Sequence, residues 1–192
     1  MCRVIAAMFH RKPLLLHLWV KLKLPYSPLN LLKNTILALC ASLLASIAHA
    51  YPATVAHVTD GDTLQVCPFG DADTPVDVRL YGIDAPEKRQ EGGGRSAAFL
   101  RDLLPKGSAV EIVERRVDKY GRAVALVYKD GLNVNAAMLK AGHAWYYAKY
   151  CRGALCGRFE QLHDAARERR CGLWRSSDPV PPWNWRKKEA KN

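Results

Sequence analysis

Five segments with a period of two, each cut short by glycine, aspartate or proline, set the limits on how this 192-residue chain folds. Thr54-Val55-Ala56-His57-Val58 and Thr63-Leu64-Gln65-Val66-Cys67 flank the turn residues Asp60-Gly61 and predict a hairpin. Pro68 to Pro75 reads as a loop, after which Val76 to Ile83 alternates again and stops before Pro86. Ala109 to Val117 and Ala123 to Tyr128 form a second hairpin about the turn Asp118 to Gly121. Helical spacing occurs three times. Ser96 is placed to cap a helix carrying Ala97, Leu100, Leu103 and Leu104, Asn135 to Gly142 is a short helix, and Gly157 to Arg170 puts Phe159, Leu162, Ala165 and Ala166 on one face. Five short strands with three helices in this order predict a small closed β-barrel of the oligonucleotide-binding (OB-fold) type, a single α+β domain.

Around that domain the composition changes. The first fifty residues contain six basic residues and no acidic one, and Ile36 to Ala48 is uncharged, too short to span a bilayer comfortably, and followed by His49-Ala50. This is the pattern of a signal peptide with Tyr51 as the mature N-terminus, or of an uncleaved anchor. Residues 1–50 are therefore expected to be a leader, 51–175 the folded domain, and 176–192 a basic tail with Pro179, Pro181, Pro182, Trp183 and Trp185 that is extended and weakly ordered. Without the leader, 23 basic residues remain against 18 acidic ones, an excess that attracts polyanions. Export implies an oxidising compartment. Cys67, Cys151, Cys156 and Cys171 then allow three pairings, and the last three lie near His163, so a zinc site is an alternative to disulfides or buried thiols.

Chemistry concentrates in two short clusters, Asp60 to Thr63 with Arg79 to Glu87, and Asp118 to Arg122. Asp62, Asp84 and Glu87 supply hard oxygen ligands and a carboxylate for a water, while Arg79 and Arg122 supply planar forks that clamp phosphate oxygens and stay charged. Taken singly, each motif has a plainer meaning: Asp60-Gly61-Asp62 is a turn, Asp84-Ala85-Pro86 a strand exit, Glu87 a solvated loop acid, and Arg122 a surface charge. Their combination points to hydrolysis of a charged, unreactive phosphodiester bond.

The motifs DGDT, RLYGIDAPE, DKYGR, the helix from Val134-Asn135 to Gly142 and the terminal GLW, in that order between about Val55 and Trp174, resemble the thermonuclease family of staphylococcal nuclease-like enzymes. The resemblance implies a five-stranded barrel with three helices and an endonuclease that hydrolyses DNA and RNA with calcium, leaving 3′-phosphate ends. It further implies single strands as preferred partners, no obligate protein partner, and a monomer. By position, Asp62 and Asp84 match calcium-coordinating carboxylates and Ala85 a backbone-carbonyl ligand. Glu87 matches the residue acting on the attacking water, Arg79 and Arg122 the pair gripping the scissile phosphate, and Lys119 and Tyr120 residues meeting a terminal phosphate. Tyr150 stands at one nucleotide-contacting tyrosine position and Ala148 at the other, with Tyr146 and Tyr147 beside it. Ala85 replaces a frequent threonine, and the cysteines about Tyr150 are extra to the founding pattern. Two other readings stay open: the same barrel could bind single strands without cutting them, or the chain could be a disulfide-stapled structural protein that has no need of both arginines.

Overall fold

The computed structural model describes residues 50–69 and 74–191; the leader, with its expected cleavage point before Tyr51, otherwise lies outside them. Strand β1 (Ala50–Val58) pairs antiparallel with β2 (Thr63–Pro68), and β2 with β3 (Val76–Leu80), as the alternation predicts. The second hairpin is β5 (Ala109–Val117) and β6 (Ala123–Lys129), with β5 also pairing antiparallel with β1. One parallel pairing closes the barrel: Val78, Leu80 and Arg79 of β3 oppose Ala123, Ala125 and Val124 of β6. Register shifts between Val55 and His57 and between Glu114 and Arg116 are bulges, which add the local twist that a small closed barrel requires. A short β7 (Leu132–Asn133) extends β6, and β4 (Ile83–Asp84) pairs separately with β8 (Trp145–Tyr146).

The core fills the barrel with Val55, Leu64, Val66, Val78, Leu80, Ile112 and Leu126, all buried. Each such aliphatic side chain contributes roughly 1.5–3 kcal/mol on burial. Five consecutive residues of β6, Ala123 to Val127, are buried, so this strand is covered on both faces. Asn135 sits on its outer side and accepts from the Val127 amide at 3.0 Å while donating to the carbonyls of Ala125 and Tyr81 at 3.1 and 2.9 Å. A buried amide whose groups are matched in this way ties the turn after β3 to the barrel wall.

Four helices complete the domain where the sequence predicts three: α1 (Gly93–Leu103), α2 (Val134–Lys140), α3 (Leu155–Glu168) and α4 (Pro182–Glu189). The tail is thus not the extended, weakly ordered end its prolines suggest. Pro182 occupies the first helical turn, where its missing N–H costs nothing, and Trp183 and Trp185 supply surface to bury. Ser96 does not cap α1. That helix begins earlier, at Gly92 with φ 87°, and Ser96 lies inside it with its hydroxyl buried and unpartnered. Of the cysteines, Cys151 and Cys156 form a disulfide at the start of α3, leaving Cys67 and Cys171 free, so the thiols near His163 do not form a zinc cluster. Among the described residues no helix is long and apolar enough to cross a membrane.

Candidate active site

The turn between β1 and β2 presents two aspartates at the mouth of the barrel. Asp60 accepts from the Asp62 amide at 3.0 Å, the local hydrogen bond that makes aspartate a turn residue. Gly61 has no positive φ; its requirement is space, because a Cβ there would lie 2.7 Å from the Cβ atoms of Ala85 and Ser96. The hairpin turn, the Asp84–Glu87 segment and α1 are therefore pressed together. Gly93 tightens the same junction, since a Cβ on it would meet the Glu87 carbonyl oxygen.

Arg79 lies between the two buried aspartates, with Nη1 2.6 Å from Asp62 Oδ1 and Nη2 2.6 Å from Asp84 Oδ1. Asp62 also accepts from the Thr63 hydroxyl at 3.0 Å and, through Oδ2, from the Ala85 amide at 2.7 Å. Asp84 is pinned at the backbone by its pairing with Trp145. Burial pushes the Asp84 carboxyl above the ordinary range and the Asp62 charge adds to this, opposed by hydrogen bonds and charge from Arg186 and Arg79. Burial, with Asp62 next, likewise pushes Asp60 up to about 6. Burial acts to lower the Arg79 pKa, yet the Asp62 and Asp84 charges raise it overall, so it remains a fixed cation.

A cleft of about 590 Å³ opens beside this cluster, lined by Asp60, Arg79, Glu87, Lys119, Tyr120, Arg122, Tyr147, Tyr150 and Arg186 among others. Arg122 reaches it from the β5–β6 turn, where Nη2 and Nε grip Asp118 Oδ2 at 2.8 and 2.9 Å. Lys119 and Tyr120 are exposed at the rim. Tyr150 is exposed too, with Arg116 over its ring at 5.6 Å. The structure thus gathers Arg79, Glu87, Arg122, Lys119, Tyr120 and Tyr150 around one cleft and sets Asp62, Asp84 and Ala85 directly behind Arg79. The aromatics divide: Trp145 packs against Trp174 and Trp183 at 4.3 and 5.7 Å, whereas Tyr147 and Tyr150 face the cleft.

The donors behind Arg79 are carboxylates and main chain, the hard oxygen set that suits calcium. Asp62 Oδ2 carries one hydrogen bond, leaving acceptor capacity on an ionisable oxygen. Among the described residues no group of three His, Cys, Asp or Glu side chains is arranged as a metal cluster. Two carboxylates with a carbonyl, water and substrate phosphate are a smaller protein set than that, and they fit a cation held partly by its substrate.

Two features escape sequence reasoning. Gln90 is buried, accepting from the Glu87 amide at 3.3 Å and donating to the Val180 carbonyl at 2.6 Å, so it joins the Glu87 loop to the tail. Arg186 of α4 donates to Glu87 Oε1 at 2.7 Å and to Asp84 Oδ2 and Oδ1 at 2.7 and 3.2 Å. The only local signal is for Arg186, a pair of tryptophans that follows Pro181-Pro182 and precedes the basic run Arg186 to Lys188.

A closed barrel whose mouth combines buried carboxylates with paired guanidinium groups defines a class, the phosphodiester hydrolases. The family model for staphylococcal nuclease homologues matches residues 77–176, and the chain belongs to that family. It is similar to a protein of Escherichia coli O157:H7 named an uncharacterized endonuclease, 41% identical over 133 residues, covering 69% of this chain and 82% of the relative. It is also similar to a micrococcal nuclease of Shigella flexneri, 35% identical over 149 residues, covering 72% of this chain and 83% of the relative. An uncharacterized endonuclease of Haemophilus influenzae is 36% identical over 138 residues, 72% and 74% of the two chains.

Proposed function

We propose that this protein is an exported, calcium-dependent nuclease that hydrolyses phosphodiester bonds of DNA and RNA, favouring single strands, acting as a monomer and leaving 3′-phosphate ends. The observation that carries the reading is Arg79 held between Asp62 and Asp84 at the wall of a cleft that Glu87 and Arg122 also line. Export is supported by the apolar stretch before Ala50 and by the Cys151–Cys156 disulfide, a bond that persists in oxidising compartments.

Each residue has a task that its surroundings suit. Asp62, Asp84 and the Ala85 carbonyl would hold calcium, which when bound supplies positive charge to the phosphate oxygens. Glu87 lies on a loop fixed by Gln90 and Gly93, at the edge of the cleft, where its carboxylate can orient a water and take its proton. Arg79 approaches from β3 and Arg122 from the β5–β6 turn, and together they can grip the phosphate from two sides, stabilising the charge that grows on its oxygens during attack. Lys119 and Tyr120, at the tip of the β5–β6 turn, can meet a neighbouring phosphate, and Tyr147 and Tyr150 offer ring faces to bases.

The test is cleavage of single-stranded DNA and RNA by the purified protein with calcium or with chelator, using Arg79→Ala as control and end-labelling to identify the termini. Cleavage that needs calcium, disappears in the variant and leaves 3′-phosphates is expected. Binding without cleavage under every condition would instead make the protein a single-strand-binding module.

A further inference from the structure

Arg186 comes from a helix that lies beyond the segment matched by the family model, and it reaches the centre of the acidic cluster. Its delivery is built, not incidental. Pro182 is buried, Trp183 stacks on Tyr147 at 5.2 Å with rings 8° from parallel, and the Val180 carbonyl is held by Gln90 at 2.6 Å. These anchors fix the first turn of α4, and one turn further on the guanidinium lies against both oxygens of Asp84 and one of Glu87.

Asp84 Oδ1 is thus shared between Arg79 and Arg186, while Oδ2 faces Arg186. Oδ1 already accepts twice and Oδ2 once, so a cation bound through Asp84 either displaces a guanidinium or shares Oδ2 with Arg186 at close range. It must also tolerate the positive charge of any guanidinium left beside it. Arg79 is held by Asp62 as well and belongs to the barrel. Arg186 is half-exposed and belongs to the tail, so it is the group that can leave.

We propose that Arg186 is a tethered rival of the divalent cation: the docked tail and the cation exclude one another at Asp84, and α4 is an autoinhibitory latch on the site. The inference rests on the reading of Asp84 as a cation ligand. With the latch closed, a charge of the protein's own is shared between Asp84 and Glu87, and both oxygens of Asp84 are engaged by guanidinium groups. Occupation by the cation frees Glu87 as well as Asp84, because one guanidinium holds both. No covalent change is needed to open the latch; calcium concentration and the polyanion, which attracts Arg186, Lys187 and Lys188, are sufficient.

Calcium titration of the full protein by calorimetry, without nucleic acid, tests this. Arg186→Gln is expected to bind calcium at least about tenfold more tightly than the unchanged protein. Trp183→Ala, which loosens the tail without touching the acidic cluster, is expected to shift affinity in the same direction, and it serves as the second test should Arg186→Gln misfold. Equal or weaker affinity in the folded variants overturns the latch while leaving the cation site intact. Failure of every form to bind calcium, in a repeat titration with inorganic phosphate present to complete the shell as well as without it, overturns the latch together with the assignment of Asp84, so the two failures are told apart.

Discussion

Arg79 ends on two carboxylates at 2.6 Å and Arg122 on one at 2.8 Å, and the surroundings of those carboxylates differ. Asp84 is fully buried beside Asp62, and its pKa is raised, with burial the leading cause. Asp118 sits on a turn whose neighbours are exposed; burial acts to raise its pKa, but hydrogen bonds from the Arg122 side chain and from the Tyr120 and Arg122 amides hold it below the ordinary range. The first arginine is shared by two buried acids. The second is kept in place by a single acid, itself held by turn amides. Under the proposed function, a phosphate in the cleft would compete with one carboxylate for Arg122, whereas Arg79 would have to meet it while held by two.

The contrast breaks most readily at Arg79. Arg79→Ala is expected to cost about 3–5 kcal/mol of stability, because two buried carboxylates lose their shared partner, and to lower turnover by about a thousandfold or more. Urea unfolding with cleavage kinetics on the same preparation measures both. Next in size, Glu87→Gln should lower kcat at least about a hundredfold with KM little changed. Near-normal turnover would remove Glu87 from any role in proton transfer. Arg122→Ala should also cut activity about a hundredfold, but its stability should move by no more than about 1 kcal/mol. Losses of stability as large as those at Arg79 would erase the distinction between the two sites.

The smallest effect concerns Asp60. Its pKa rises from 3.8 to about 6 in the folded protein, so the native state retains a proton that the unfolded chain has released, and stability falls as pH climbs through that interval. Asp60→Asn is immune to this loss. Its melting temperature should match the unchanged protein below about pH 4 and exceed it increasingly up to just above about pH 6. A difference that is constant across this range would mean that Asp60 titrates normally.

Local signals explain which parts of the site could be read in advance. Asp62, Arg79, Asp84 and Arg122 lie at turns or strand ends whose glycine, aspartate and proline residues mark them in the sequence, and barrel closure then brings the turns together. Arg186 carries no such mark. Its contacts span about a hundred positions of chain, from Asp84 and Glu87 to a proline-rich end, and prolines that suggest an unstructured tail instead start a helix. Tryptophan burial outweighed the local preference there. The same is true of Ser96, where close packing at Gly61 and Gly93 sets the start of α1 and leaves a favourable capping residue inside the helix. Spacing could not choose among the cysteine pairings, and the short span from Cys151 to Cys156 is joined because its ends lie 5.8 Å apart at Cα.

The parallel pairing of β3 with β6 sets Arg79 opposite Val124, two residues past Arg122. The hydrogen bonds that seal the barrel are thus also the ruler that spaces the two guanidinium groups. Any motion that unzips this seam must blunt the chemistry before the rest of the molecule comes apart, so loss of cutting power on warming would announce the first fraying of the wall.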